Sequence, residues 1–157
     1  MEEIAAAAGV GKGTLYRNFS GRGQLAEALL DDRSRALQAE ALRRTSPAAG
    51  GDAADRLTAF LGMLLDFTAD NVDLLCIAEG DGAEARSEQA YVWQRQVAAA
   101  LLREGAAGRP EIDVDHLADA LPSLVRPDLV RHQLEAVGLD CERIRAGLAR
   151  LARAALA

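Results

Sequence analysis

Apolar residues recur with a helical period through most of the chain. They return every three or four positions, as at Trp93, Val97 and Leu101, and this spacing places them on one face of a helix. The composition agrees, because 33 alanines outnumber the 16 valines, isoleucines and threonines together. Alanine favours helices, whereas β-branched residues favour strands. The pattern therefore predicts an all-α protein of about eight helices and no strand.

Breaks in this pattern set the ends of the elements. Asp52, Asp113 and Asp140 stand where helix N-caps are expected, and Pro122 should end or kink the helix around it. Loops are predicted at 46–52, 80–85 and 105–113. The longest helix, at residues 22–44, should turn an apolar face inward that consists of Leu25, Leu29, Ala36, Leu37 and Ala41. The other helices are predicted at 2–8, 12–18, 53–68, 74–79, 86–104, 113–124, 127–136 and 140–157.

The stretch AAAAGVGKGTLYRNF, near the start of the chain, is compatible with two kinds of site. Its centre, GVGKGT, resembles the end of a P-loop, whose glycines cradle phosphates and whose lysine reaches the outer ones. With Lys12 as that lysine, however, the first glycine of the motif falls on Ala6 and the hydroxyl residue on Gly13. A P-loop also follows a buried strand, whereas EEIAAAA is typical of a helix. A nucleotide-handling enzyme is therefore kept only as the weaker alternative.

A helix-turn-helix fits the same residues better. Small residues such as Ala5 or Ala8 allow two helices to cross closely, and Gly9 suits a tight turn with a left-handed residue. Four apolar residues would then point toward the core: Ile4, Val10, Leu15 and Phe19.

The outward side of the second helix carries side chains that suit DNA. Cations and hydroxyls bind phosphates, and an amide binds a base edge or the backbone. Between positions 12 and 22 the chain has three cations and no acid, although its net charge is −6. A basic face is thus confined to this helix, where the candidate DNA-binding residues are Lys12, Thr14, Tyr16, Arg17 and Asn18.

The stretch IAAAAGVGKGTLYRNFSGRGQLAEALL resembles the DNA-binding end of TetR-type transcriptional regulators. The GTLY segment and the F-x-x-R-x-x-L spacing carry the resemblance. It implies that Thr14 and Tyr16 contact phosphates. It also implies that Lys12 and Arg17 face the major groove and that Arg22 stands at the position of a phosphate-binding lysine.

Three residues depart from the family pattern. Gly11 replaces the usual Ser or Thr cap, and Asn18 replaces the commoner His. Gly23 replaces a glutamate, which should weaken the start of the next helix by about 1 kcal/mol. Family members use three helices in the DNA-binding head, and the helices predicted at 2–8 and 12–18 resemble the second and third. We therefore expect Met1 to be an internal methionine or the chain to be truncated, with weak operator binding by the chain as it stands.

Residues 53–104 hold most of the large apolar side chains. Their spacing is typical of a plain core, but the resemblance favours a cavity, because these regulators usually bind a small effector there. The expected effector is mostly apolar, with a few polar anchors. The candidate lining residues are Phe60, Met63, Leu64, Phe67, Cys76, Tyr91, Trp93 and Gln94.

The last helix is predicted to serve self-association. Its apolar stripe lies beside the small residues Ala146, Gly147 and Ala149, so a second helix can approach closely. A four-helix interface between two copies would place two recognition helices about 34 Å apart on a near-palindromic site. The candidate interface residues are Leu117, Leu121, Leu124, Ile144, Leu148, Leu151 and Ala155.

The remaining polar residues predict no further site. A metal site could be considered at Asp113, Asp115, His116 and Asp119. Acids are expected at a helix N-terminus, however, and the spacing of these residues matches no common metal motif. The two cysteines lack CxxC partners and are expected to be reduced core thiols, with a redox role as the alternative. No catalytic or cofactor motif stands out, so neither enzymatic activity nor a cofactor is expected.

The expected function is that of a TetR-like repressor, released from its double-stranded DNA operator by a small-molecule effector. The predicted parts are a partial DNA-binding head at 1–21, a connecting helix at 22–45 and a ligand-binding and dimerisation domain at 46–157. Effector binding would shift the connecting helix and move the two heads of a homodimer out of register with DNA. The alternative is a dimeric ligand-binding protein with an incomplete head. With no signal peptide and no apolar run of about 20 residues, we expect a cytoplasmic location and no membrane partner.

Overall fold

The computed structural model describes residues 1–80 and 84–157, with side chains described outside 80–87. Every α or β element within these ranges is a helix, which confirms the all-α prediction. A 3-10 turn at Pro47–Ala49 and a π-helical turn at His132–Ala136 add to them. The predicted loop at 80–85 includes residues 81–83, which lie outside the described ranges. The α-helices are α1 (Glu2–Ala7), α2 (Lys12–Asn18), α3 (Arg22–Thr45), α4 (Ala53–Asp70), α5 (Val72–Gly80), α6 (Glu84–Gly105), α7 (Val114–Ser123), α8 (Pro127–Arg131) and α9 (Cys141–Ala155).

The helix ends confirm several predicted boundaries. The carboxylates of Asp52, Asp113 and Asp140 each accept a backbone N–H three residues further on, at 2.8, 3.0 and 2.7 Å. These bonds satisfy N–H groups that have no partner inside a helix. α7 ends one residue after Pro122, and Pro127 opens α8, where its missing N–H costs nothing.

α4 is the central helix of the fold. α3, α6 and α9 all pack against it. Phe60 on α4 meets Trp93 on α6 edge to face, with ring centroids 5.7 Å apart. Each large apolar side chain that is fully buried contributes about 1.5–3 kcal/mol relative to an exposed one. Those on α4 are Leu57, Phe60, Leu61, Leu64 and Leu65.

A buried ion pair joins the start of α4 to the end of α6. Arg56 is only 5% exposed, and its guanidinium donates to the carboxylate of Glu104 and, at 3.1 Å, to the carbonyl of Gly51. The side chain of Glu104 is 50% exposed. The buried cation depends on these two acceptors, because removing a charge from water costs several kcal/mol.

α3 turns inward part of the predicted face, since Ala41 is buried and Leu25 and Leu37 are partly buried. Leu29 and Ala36 are exposed, so their assignment to the core is wrong. The inner face also includes Glu27 and Ser34, which are partly buried. A search for periodic apolar residues does not detect these polar positions. The residues of α3 that are buried are Gly23, Ala26, Leu30 and Ala41.

No helix in residues 1–80 and 84–157 combines the length and the apolar character that crossing a membrane requires.

Candidate nucleic-acid interface and ligand cavity

α1 and α2 are joined by a turn that depends on glycine. Gly9 has a φ of +66°, in the left-handed region that other residues rarely adopt. Its N–H donates to the carbonyl of Ala6 at 3.2 Å, and the N–H of Val10 donates to that of Ala5 at 3.0 Å. This pair of bonds is the Schellman motif that closes a helix. α1 therefore ends sharply, and α2 begins at Lys12, three residues after Gly9.

The N-termini of α2 and α3 differ in their hydrogen bonds. Gly11 is the N-cap of α2 and gives no side-chain hydrogen bond, as expected from the absence of a Ser or Thr there. At the start of α3, the side chain of Gln24 accepts the backbone N–H of Ser20 at 2.6 Å. This bond ties the chain before α3 to the first turn of the helix, while the N-cap residue Gly21 gives no side-chain hydrogen bond.

Few side chains of α1, α2 and the turns beside them are buried. Ala5 and Leu15 are buried and Phe19 is partly buried, as the helix-turn-helix pattern predicts. Ile4 and Val10, however, are 37% and 42% exposed, so their predicted place in the core is wrong within the described chain. No described helix covers these two side chains.

All six predicted DNA-binding side chains are exposed. Arg17 donates to the hydroxyl of Thr14 at 3.3 Å, and Asn18 donates to the carbonyl of Thr14 at 2.9 Å. Tyr16 stands free of such contacts among the described residues. These short-range bonds hold three of the side chains along one surface of α2.

The cations of this surface are not equally available. The ammonium of Lys12 pairs with the carboxylate of Glu2 on α1. Arg17 and Arg22 form no ion pair with a described residue. An approaching phosphate would therefore meet two uncompensated guanidinium groups and one lysine that must exchange partners.

α1 and α2 are two short helices joined by a glycine turn, and α2 presents cations and hydroxyls. This is the arrangement of a helix-turn-helix, which many DNA-binding proteins use. GVGKGT follows a helix and not a strand, so it lacks the context of a P-loop. Residues 1–29 match the family model for bacterial regulatory proteins of the tetR family. The N-terminal 29 of the 157 residues are therefore similar to the DNA-binding region of tetR-family transcriptional regulators. No curated protein and no solved structure matches it.

A cavity of about 730 Å³ lies among α3, α4, α5, α6 and the α7–α8 junction. This volume falls in the range of small-molecule sites. Of the candidate lining residues, Phe67, Tyr91 and Gln94 border the cavity. The structure therefore brings together part of the predicted set.

The other predicted residues lie elsewhere. Phe60 and Leu64 are fully buried in the core around α4, and Met63 and Trp93 pack against that core. Cys76 is partly buried on α5, outside the lining of the cavity. Burial raises the pKa of its thiol, which disfavours the reactive thiolate.

Sequence reasoning missed the wall that α3 contributes. Glu27, Leu30 and Ser34 lie on one face of α3 and border the cavity. The sequence did contain a signal for this wall, because Glu27 and Ser34 share the face of α3 on which the buried Leu30 lies. Polar residues in such positions need a partner or a wet space beside them.

The cavity is more polar than expected for a mostly apolar ligand. Its described lining includes three carboxylates, from Glu27, Glu79 and Glu88, and one guanidinium, from Arg126. Burial raises the pKa of Glu79, and the nearby Arg126 partly offsets this shift.

A hydrogen-bonded cluster stands beside the cavity and joins α6 to α7. The hydroxyl of Tyr91 donates to Asp119 at 2.6 Å, and Arg95 donates to the same carboxylate at 2.7 Å. Arg95 also reaches Asp115 at 3.1 Å. The acids considered as metal ligands are thus held by cations or, for Asp113, by the N-terminus of α7.

Replacing Tyr91 by phenylalanine is expected to raise the pKa of Asp119. The hydrogen bond from Tyr91 is the largest cause that lowers this pKa, and Arg95 lowers it further. The pKa should therefore move toward the ordinary value for aspartate without reaching it. A carboxylate whose pKa is depressed stabilises the fold above its unfolded pKa, and this contribution is lost as pH falls through the folded pKa.

Carbon-detected NMR titration of the Asp119 carboxyl measures this change. Tyr16→Phe serves as the control, because that tyrosine lies on α2 and should leave the titration unchanged. An identical Asp119 pKa in Tyr91→Phe and the unmodified protein would show that the bond is not formed in solution.

The predicted dimer residues divide into two groups. Leu121, Ile144 and Leu148 are buried inside the protomer, so they offer almost no surface to a second copy, and their assignment to an interface is corrected. They pack instead on the core around α4. Leu151 is 49% exposed, while Leu117, Leu124 and Ala155 are partly buried.

Proposed function

We propose that the protein is a TetR-type regulator, a dimeric repressor that a small molecule bound in the cavity releases from operator DNA. The observation that carries the proposal is that α3 takes part in both sites. Arg22, in its first turn, adjoins the DNA-binding surface of α2, and Glu27, Leu30 and Ser34 border the cavity. The two sites thus share one continuous helix.

A shared helix provides a direct physical link. α3 has 24 residues and is therefore roughly 36 Å long. Its cavity-facing residues lie about one to three turns from Arg22. A ligand that prefers a different position of α3 would move the first turn, and the DNA-binding surface beside it.

The contacts of α3 with its neighbouring helices provide a further link. α4 and α5 pack on it, and Arg33 donates to the side chain of Asn71 at the α4–α5 junction. Asn71 in turn donates to the carbonyl of Phe67, a residue of the cavity wall, at 2.7 Å. A change at the wall can thus reach α3 through a second route. The ligand must bind the two positions of α3 with different affinity for any coupling to result.

The exposed side of α9 supports the dimer. Gly147, Leu151 and Ala154 share this side, and the space above Gly147 is open. A small residue flanked by an exposed leucine allows a symmetry-related helix to pack closely. TetR-type regulators are usually dimers, which agrees with this surface.

Selection from randomised DNA duplexes tests the proposal. The protein should enrich a near-palindrome whose half-site centres are separated by one helical turn, about 34 Å. That site, placed in a promoter, should lower expression of a reporter in cells that make the protein. Enrichment of a lone half-site would contradict the dimer, and a rise in expression would contradict repression.

A cavity-filling variant tests the release step. Ser34→Trp should retain DNA binding but lose its response to any compound that releases the unmodified protein, whereas Ser34→Ala should keep both properties. A Ser34→Trp protein that is still released would show that the effector binds elsewhere.

A further inference from the structure

We infer that Asn71, at the junction of α4 and α5, is the positioning residue through which the cavity wall acts on α3. This inference rests on the proposed function, because it takes the cavity as the effector site and α3 as the link to DNA. It goes further by assigning the coupling to one buried side chain and its partner, Arg33. Without this contact, filling the cavity should no longer weaken DNA binding.

Asn71 lies behind the cavity wall, at the point where two helices meet. It alone separates α4 from α5, and its backbone has φ −129° and ψ 16°. Residues at the ends of helices can absorb changes in backbone angle, whereas the helices themselves move as rigid units. The cavity wall includes Phe67 and Thr68 on one side of this junction and Leu75 on the other. A ligand that moves these two parts of the wall relative to each other would therefore act at Asn71.

Hydrogen bonds tie Asn71 to each of these wall residues. Its side-chain amide donates to the carbonyl of Phe67 at 2.7 Å, and its backbone N–H donates to the carbonyl of Thr68 at 3.2 Å. Its own carbonyl accepts the N–H of Leu75 at 2.9 Å. The first two bonds satisfy carbonyls of the last turn of α4, which have no partner inside the helix. A shift of the wall is thus passed to Asn71 from both directions.

The side-chain oxygen of Asn71 connects this junction to α3. It accepts a hydrogen bond from the guanidinium of Arg33, which immediately precedes Ser34 of the cavity wall. Arg33 follows two aspartates in the chain, yet it forms no ion pair with a described residue. Hydrogen bonds from a charged donor are roughly twice as strong as those between neutral groups. The bond to Asn71 is therefore the polar contact that ties Arg33 to the body of the described chain.

The side chain of Asn71 has little freedom to exchange its partners. It is 6% exposed, and it is the only buried side-chain amide among the described residues. Buried polar groups are nearly always hydrogen-bonded, because leaving one without a partner is costly. When the wall shifts, the amide must therefore move with it and draw Arg33 along, or lose that bond. Arg33 is about 16 Å along α3 from Arg22, so either change acts on the helix that adjoins the DNA-binding surface.

An enlarged side chain in the wall tests this assignment without an identified ligand. Leu75 is partly buried beside the cavity, so the indole of a Leu75→Trp variant would fill part of the space from α5. Fluorescence anisotropy with the selected DNA duplex should show that this variant binds about tenfold more weakly than the unmodified protein. In an Arg33→Ala background, the same substitution should weaken binding by less than about twofold.

Arg35→Ala is the matched control background. Arg35 is also an exposed arginine of α3, but it pairs with Asp32 on the same helix and not with Asn71. Leu75→Trp should therefore keep its about tenfold effect when Arg35 is replaced.

Two further backgrounds separate positioning from a purely structural role. Arg33→Lys keeps a cationic donor and should retain most of the effect of Leu75→Trp. Asn71→Leu removes both side-chain bonds and should abolish the effect, as Arg33→Ala does. If Leu75→Trp does not fold, Leu75→Phe provides a smaller enlargement and should give a smaller effect in the same order of backgrounds.

Amide chemical shifts of the first turn of α3, measured by NMR without DNA, make the possible failures distinguishable. Leu75→Trp should change these shifts in the unmodified background and leave them unchanged with Arg33→Ala. If Leu75→Trp weakens DNA binding equally with and without Arg33, or not at all, the inference is overturned while DNA binding itself stands. If no variant binds DNA but the shifts depend on Arg33, the proposed function fails and the link through Asn71 stands.

Discussion

Replacing Lys12 and Arg17 together by alanine is expected to lower the affinity for the selected DNA site by about a hundredfold. Each side chain should contribute about 1–3 kcal/mol if it reaches a base edge or a phosphate. Both are exposed on α2, beside the hydroxyls of Thr14 and Tyr16. Their joint loss would remove most of the positive charge that the region between positions 12 and 22 presents.

Fluorescence anisotropy at several salt concentrations measures the effect. Each lost phosphate contact should reduce the slope of log affinity against log salt by about 1. The matched control replaces Arg143 and Arg150, two exposed cations of α9, and changes the net charge equally. Equal loss in both double variants would attribute the effect to net charge and contradict the assignment of α2.

The two single variants should differ. Lys12 is paired with Glu2, so DNA must displace this carboxylate before it gains the lysine. Arg17 has no such competitor among the described residues. Arg17→Ala should therefore cost more affinity than Lys12→Ala, and Glu2→Gln should strengthen DNA binding slightly.

Replacing Glu104 by alanine is expected to lower the free energy of unfolding by about 2–3 kcal/mol. The change leaves the buried guanidinium of Arg56 with the carbonyl of Gly51 as its remaining acceptor. Loss of one partner of a buried pair costs about 3–5 kcal/mol. The lower figure applies because Glu104 is half exposed and water can enter when it is removed.

Urea denaturation with an unchanged m-value checks this loss. Glu111→Ala is the control, since Glu111 is exposed and has no described partner. The double variant Arg56→Met/Glu104→Ala should be more stable than Glu104→Ala alone, because it removes the unpaired buried charge. A Glu104→Ala protein as stable as the control would mean that water, and not Glu104, solvates Arg56.

The local features of the fold were predictable from the sequence. Gly9 and the capping aspartates act through backbone geometry within a few residues, so their effect does not depend on distant parts of the chain. Five of the six candidate DNA-binding residues are also neighbours along one short helix, α2. The match of residues 1–29 to the tetR family agrees with the resemblance on which their roles rest.

Features that depend on packing between distant helices were less predictable. Periodicity shows that Ile144 and Leu148 belong to an apolar face, but it cannot distinguish a second copy from α4 as the surface that covers it. The structure places α4 there. In the same way, large side chains of α4 that were predicted to line the cavity fill the core instead. The cavity wall includes Glu27 and Ser34 of α3, a helix that was predicted only to connect the two domains.

The position of α3 in both sites has a consequence for how such a regulator can diversify. On the proposed function, substitutions at Leu75, Glu79 or Gln94 alter the ligand while the helix that adjoins DNA keeps its sequence. Leu30 and Ser34, by contrast, lie on α3, the helix that also adjoins the DNA-binding surface. New chemical specificities are therefore most accessible through the walls formed by α5, α6 and α7–α8, and a biosensor derived from this chain is best diversified there.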